Sequence, residues 1–212
     1  MTVVAYTKIQ ADADLDLFWR EVEQSFPNKE NSIYLDEIKT RKSQDSIRES
    51  ISALLLLSSL LDRADIDSEN LILCRQEGGK PYLKDSEIEF SVSHSHGYAA
   101  VVISDHSKVG IDIETAEIST EKAAKLAERF FSNAEKLEFQ AHSDSFLKLW
   151  TKKEAYAKMQ GTPLSDLIVN EKKAPNAERT NAVFYELSAD GHPVTVCLEK
   201  PDEIINLGEI IV

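Results

Sequence analysis

Cysteine is almost absent from this 212-residue chain: Cys74 and Cys197 are the only two and stand far apart. That excludes a disulfide framework and any cysteine-based zinc cluster of recognisable spacing. Glycine is scarce too, with 7 residues where average usage would give about 15, so each marks a demanding backbone position. Long hydrophobic runs are missing. The longest uninterrupted apolar stretch, 98–103, falls far short of the roughly 20 residues that cross a bilayer as a helix. The first six residues carry no basic n-region, no extended apolar core and no small-residue cleavage site, so the expected compartment is the cytoplasm. Basic charge is in deficit, with 24 Lys and Arg against 37 Asp and Glu for a net charge of -13. General attraction to nucleic acid or to an anionic membrane is therefore not expected. An anionic ligand would have to meet local cations or a metal ion.

What is present suits a soluble globule: 42% of residues are hydrophobic, enough for a real core, and 29% are charged. No internal repeat is visible. The pattern predicts a strand over 3–9 and a helix over 14–26, with Leu15, Phe18, Trp19 and Val22 on one side. A core helix is expected over 45–61, with Asp45 capping its first turn. Short β-rich runs follow at 71–74, 88–93, 99–104 and 109–114. Helical spacing returns at 120–131, 134–141 and 145–160, where Gly161 stops the last helix. The stretch 172–180 reads as the most loop-like of the chain. The tail predicts strands at 182–187 and 194–198 around an Asp190-Gly191 turn, and a final strand over 204–212. Such runs of like elements favour an α+β fold over a doubly wound parallel sheet.

Chemistry concentrates in a few places. In Gly110-Ile111-Asp112-Ile113-Glu114 the alternation of a strand puts both carboxylates on one face and both isoleucines in the core. Two such carboxylates suit Mg²⁺, which takes few protein ligands and keeps positions for water and phosphate; a solvated acidic face is the plain alternative. Trp150, Glu154 and Lys158 recur at i, i+4 and i+8 of a helix. Beside a metal, the carboxylate can accept a proton from an attacking hydroxyl while the ammonium offsets phosphate charge, although Glu to Lys at i, i+4 is also a common surface pair. Gly78-Gly79-Lys80-Pro81 puts a lysine on a rigid turn but lacks the framing residues of a P-loop. Ser93-His94-Ser95-His96 sets histidines at a strand end, for an anion or simply for structure, with no third ligand to complete a zinc site. Ser132-Asn133-Ala134-Glu135 matches a helix capping box, and a third metal ligand is the rival role for Glu135.

Taken in order, Gly79-Lys80-Pro81, Phe90-Ser91-Val92-Ser93-His94-Ser95, the 109–114 strand and Trp150-Thr151-Lys152-Lys153-Glu154 continuing to Lys158 and Gly161 resemble the surfactin-type 4′-phosphopantetheinyl transferases. Arg48 and the helix around it resemble the family's upstream segment. The resemblance implies two pseudo-twofold-related α+β halves, each a small mainly antiparallel sheet with helices, divided here as 1–107 and 108–212. It implies transfer of phosphopantetheine from coenzyme A to a serine of an apo acyl or peptidyl carrier protein, with release of adenosine 3′,5′-bisphosphate. By motif position Asp112, Glu114 and Glu135 would bind Mg²⁺, although Glu135 keeps its capping alternative. Glu154 would be the general base and Lys158 the lysine on the pyrophosphate, with Lys153 a neighbouring cation. Arg48, Lys80, Pro81, Ser93 and His94 would hold the nucleotide end.

Departures accompany the likeness. His96 stands where the family often has glycine, and Ile33 and Asp36 fall near positions of family lysines, for which Lys39, Arg41 or Lys42 would have to substitute. Carrier proteins are usually acidic, so docking calls for a local basic or apolar patch; the helical stripe Lys122, Lys125 and Arg129 is one choice and a solvated face the other. Two further functions fit parts of the pattern: a non-catalytic coenzyme A-binding module and a Mg²⁺-dependent nucleotide phosphohydrolase. Pseudo-symmetry within one chain makes a monomer the expected state.

Overall fold

The computed structural model describes residues 1–11, 14–171 and 181–212; the loop expected over 172–180 lies outside the described residues. Strand β1 (Thr2–Lys8) leads into helices α1 (Leu15–Ser25), α2 (Asn31–Lys39) and α3 (Gln44–Arg63). Five strands follow: β2 (Ile72–Arg75), β3 (Pro81–Lys84), β4 (Glu89–Ser95), β5 (Tyr98–Ser104) and β6 (Val109–Ile113). Helices α4 (Thr120–Phe130), α5 (Asn133–Ala141), α6 (Phe146–Gln160) and α7 (Leu164–Glu171) come next, with a 3-10 turn at Ser143–Ser145. Strands β7 (Val183–Ala189), β8 (His192–Leu198) and β9 (Ile204–Glu209) complete the order.

The strands form a sheet β4-β5-β1-β9, a β2-β3 pair and a sheet β6-β8-β7. Pairing is antiparallel except between β1 and β9. One arrangement occurs twice: a strand, a long helix and a hairpin whose second strand returns to the middle. In the first half these are β1, α3, β4 and β5, and in the second β6, α6, β7 and β8. This is an α+β fold of two related halves. The division at 107/108 falls between β5 and β6, but it does not separate the sheets, because β9 at the end of the chain runs beside β1 in the first.

Alternation along the strands makes the layers. Val3, Ala5, Val101 and Ile103 face α3 and α1 in one core, where Leu56, Leu57, Leu60 and Leu61 are fully buried. Each such leucine contributes about 1.5–3 kcal/mol. Val4, Ala100 and Val102 point the other way and meet Ile111, Ile113, Val194 and Val196 of the second sheet. The remaining face of β6 packs on α6. Gly110 is required there, because a Cβ would lie 2.0 Å from the Ala155 carbonyl oxygen and 2.5 Å from the Met159 nitrogen. Gly161 ends α6 in the left-handed conformation at φ 68°, the role expected of it.

Two local expectations change. Ser43, rather than Asp45, caps α3 by accepting from the Ser46 N–H; Asp45 lies in the first turn, where its charge still favours the helix N-terminus. Helices α2 and α7 and strand β3 were not expected: α2 has no side-chain cap at Glu30, and β3 is four residues opening on a proline. Among the described residues no helix is long and apolar enough to cross a membrane.

Candidate functional site

The seam between the two sheets is built from side chains. Strand β6 uses one edge to pair with β8, and its other edge meets serines of β4. The N–H groups of Ile111, Ile113 and Thr115 donate to the hydroxyls of Ser91, Ser93 and Ser95 at 3.2, 3.4 and 3.2 Å. These hydroxyls satisfy an edge that would otherwise present unpaired donors. They also reach the acidic pair. Asp112 is 4% exposed, and its Oδ1 accepts from Ser93 Oγ at 2.9 Å and from Lys158 Nζ at 2.7 Å. Lys158 Nζ also donates to Ser93 Oγ at 2.7 Å. Glu114 Oε2 accepts from Ser95 Oγ at 3.2 Å, and the nearby Trp150 indole weakly favours the ionised form of the same carboxylate.

Helix α6 supplies the rest, because Trp150, Glu154 and Lys158 share the stripe that runs over Asp112 and Glu114. Burial, reinforced by the charge of Asp112, raises the Glu114 pKa. Burial pushes Glu154 up to about 7; Asp112 and Glu114 add to that rise, and Lys158 opposes it. Three acidic side chains therefore share a half-buried space with the Lys158 ammonium. Asp112 Oδ2 is buried without a hydrogen-bond partner, the kind of orphan that a native site leaves only for a reason. That oxygen and the Glu114 carboxylate are hard donors in a negative field, so they fit a small divalent cation. No third His, Cys, Asp or Glu joins them in a metal-sized group among the described residues.

The structure sets Glu135 and Lys153 together and away from that pair. Glu135 Oε2 accepts from the Ser132 N–H at 2.6 Å while Ser132 Oγ accepts from the Glu135 N–H, a complete capping box at the start of α5. The same oxygen lies 2.8 Å from Lys153 Nζ, whose side chain is 1% exposed. Burial lowers the Lys153 pKa, and Glu135 opposes the fall. The expected third ligand and neighbouring cation thus form an ion pair, its ammonium buried and its carboxylate partly exposed, tying α5 to α6. Lys153 leaves the Trp150 stripe because successive helix positions lie about 100° apart.

Lys80 is more committed than expected. Its Nζ donates to the Val109 carbonyl at 2.9 Å and lies 3.5 Å from Glu89, bridging the halves at the start of β6. Burial lowers its pKa. Lys80 and Pro81 nonetheless line a cleft of about 260 Å³ shared with Glu154 and Lys158. His94 Nδ1 lies 2.9 Å from Glu49 of α3. Its pKa is lowered, first by burial and further by Lys158 and Arg41, against the pull of Glu49. Arg48, half-buried, precedes Glu49 on the same helix. Of the three substitutes considered for the upstream lysines, Arg41 is set toward His94, its guanidinium pinned to Ser46 and Ser50. Lys39 turns to Glu23 at 2.9 Å and the Trp19 ring. Lys122, Lys125 and Arg129 stay on the exposed face of α4, with Lys125 paired to Glu121 at 2.6 Å.

Sequence reasoning did not assign Glu49 or Ser95 to the site. Glu49 gives no signal of its own inside an amphipathic helix. Ser95 did: serines at 91, 93 and 95 repeat the two-residue period of the acids at 112 and 114.

Comparison with known proteins identifies the family. Residues 108–200 match the family model of the 4′-phosphopantetheinyl transferase superfamily. The chain is similar to the 4′-phosphopantetheinyl transferase gsp of Aneurinibacillus migulanus, at 32% identity over 72% of this chain and 63% of that protein. It is similar to the 4′-phosphopantetheinyl transferase Sfp of Bacillus subtilis strain 168, at 33% identity over 58% of this chain and 55% of that one. A Haemophilus influenzae protein provisionally named a 4′-phosphopantetheinyl transferase is 32% identical over 76% of this chain and 68% of its own length. The matched part spans less than two thirds of the first two relatives.

Proposed function

Because the chain belongs to the 4′-phosphopantetheinyl transferase superfamily, we propose that it moves 4′-phosphopantetheine from coenzyme A to a serine of an apo acyl or peptidyl carrier protein, as surfactin-type members do. The observation that carries this reading is the grouping of Asp112, Glu114, Glu154 and Lys158 across β6 and α6.

In this reading the carrier serine Oγ attacks the β-phosphorus of coenzyme A, and the phosphorus–oxygen bond to the α-phosphate breaks. Adenosine 3′,5′-bisphosphate leaves with the electron pair, and the serine proton passes to Glu154. A carboxyl with its pKa at about 7 is matched to taking a proton at neutral pH. Asp112 and Glu114 would hold Mg²⁺, which supplies positive charge to the diphosphate and to the departing bisphosphate. Lys158, held by Asp112 and Ser93, brings a fixed ammonium to the phosphate oxygens. The cleft beside Gly79, Lys80 and Pro81 receives the nucleotide, while His94, Arg48 and Arg41 take its 3′-phosphate end. Glu135 and Lys153 are assigned a supporting role, holding α5 against α6.

Residues 1–107 and 108–212 are the two halves of this reading, with the metal and base in the second. One chain supplies both, so the working form is a monomer in the cytoplasm with the carrier, without nucleic acid or membrane. Mass spectrometry tests the activity: incubation with coenzyme A, Mg²⁺ and an apo carrier should add one phosphopantetheine and release one bisphosphate. Bisphosphate release without carrier modification would make the protein a phosphohydrolase. Coenzyme A binding with neither product, across several carriers, would make it a non-catalytic module.

A further inference from the structure

Glu114 is the outer member of the acidic pair. It follows the last residue of β6, and its N–H still donates to the Pro193 carbonyl at 3.2 Å. A glutamate has three side-chain torsions to fix, so at the end of a strand its carboxylate needs outside partners to be held in one place. Ser95 is placed to be one. It is buried, it is the last residue of β4, and its hydroxyl does two things at once: it accepts from the Thr115 N–H at 3.2 Å and donates to Glu114 Oε2 at 3.2 Å. Thr115 closes the arrangement by donating its own hydroxyl to the Ser95 carbonyl at 2.9 Å. A hydroxyl that takes one N–H has its own proton to give, and here the carboxylate receives it.

We propose that Ser95 is a positioning residue that holds Glu114 for the divalent cation. The inference rests on the reading that Asp112 and Glu114 bind that cation. Ser91 supplies the internal control, because it accepts the Ile111 N–H in the same kind of rung and neither Asp112 nor Glu114 accepts from it. Loss of a seam bond is therefore separable from loss of the hold on Glu114. Partners of metal-binding side chains commonly change affinity by 10–100-fold when removed.

The test measures Mn²⁺ binding by electron paramagnetic resonance, with coenzyme A present and a coenzyme A blank subtracted. Far-ultraviolet circular dichroism and thermal melts establish that each variant is folded. Relative to the wild type, Ser95→Ala is expected to weaken Mn²⁺ binding about tenfold. Ser95→Thr, which keeps the hydroxyl, and Ser91→Ala are each expected to stay within about threefold, as neither removes the donor to Glu114. Should Ser95→Ala fail to fold, Ser95→Cys, with its weak S–H donor, is expected to show the same loss. Wild-type affinity in Ser95→Ala or Ser95→Cys, or an equal loss in Ser91→Ala, would overturn the role of Ser95 while leaving the cation site standing. A wild-type protein that takes up no Mn²⁺ above the blank would overturn the cation site itself and Ser95's role with it.

Discussion

Burial first, and then the company of two other carboxyl groups, keeps the proton of Glu154 in place until about pH 7. The direction determines the expected rate profile. Its base form falls tenfold per pH unit below the pKa, so kcat/KM for the carrier, measured with Mg²⁺ present, should climb tenfold per unit up to a break below pH 7 and then level. Carboxyl-carbon NMR on protein free of divalent ions should find the midpoint near 7, and added Mg²⁺ should move it lower, because the charges of Asp112 and Glu114 are then neutralised. A midpoint near the ordinary 4.5 would contradict the assignment. Asp112→Ala is expected to abolish Mg²⁺-dependent turnover, read as holo-carrier by mass spectrometry, while the protein still melts cooperatively. At this scale the strand alternation of Asp112 and Glu114 and the helical stripe of Glu154 and Lys158 were legible, since both follow from backbone periodicity. The bond from Lys80 to the Val109 carbonyl was not, because it depends on how two distant segments come to rest against each other.

Helix α6 carries its chemistry on one side and its anchors on the others. Lys153, one residue from Glu154, is buried against Glu135. Removing one partner of a buried ion pair costs about 3–5 kcal/mol, because the remaining charge keeps its desolvation penalty. Glu135→Ala should therefore lower the unfolding free energy by about that amount, and it also removes the acceptor of the Ser132 N–H while leaving the Ser132 cap itself in place. If Glu135 serves α5 rather than the cation, surviving folded protein should keep its Mg²⁺ requirement unchanged in an activation titration. Gly110→Ala should cost more than about 2 kcal/mol in denaturant melts, because its Cβ would meet backbone atoms of α6. The long helices were legible from their apolar spacing, as in α3, although there the cap is Ser43 and not the expected Asp45. Helix α2 was not, since it starts without a side-chain cap and its buried Tyr34, Leu35 and Ile38 make only a short stripe.

Four layers, α3, the first sheet, the second sheet and α6, place the site where both halves contribute: Lys80, Ser93 and His94 from the first, Asp112, Glu114, Glu154 and Lys158 from the second. A ligand spanning that junction should stabilise the whole molecule, by about 2.7 kcal/mol at one hundred times its Kd. Coenzyme A with Mg²⁺ is expected to raise Tm in a thermal melt, and chelation of the metal should remove most of the gain. The fold class was readable from the succession of strands and helices. The return of β9 to β1 was not, because nothing local in residues 204–209 says which sheet edge will receive them. The serine rungs of β4 have a consequence for how this chain can vary over time. Ser93 and Ser95 stand in step with Asp112 and Glu114, so one extra residue inserted after Val92 would act as a phase error, turning both hydroxyls to the wrong side and taking a serine donor from each acid at once. A one-residue length change in the middle of β4 is therefore costly to evolution and to the protein engineer alike, whereas the turn regions stay open to such changes.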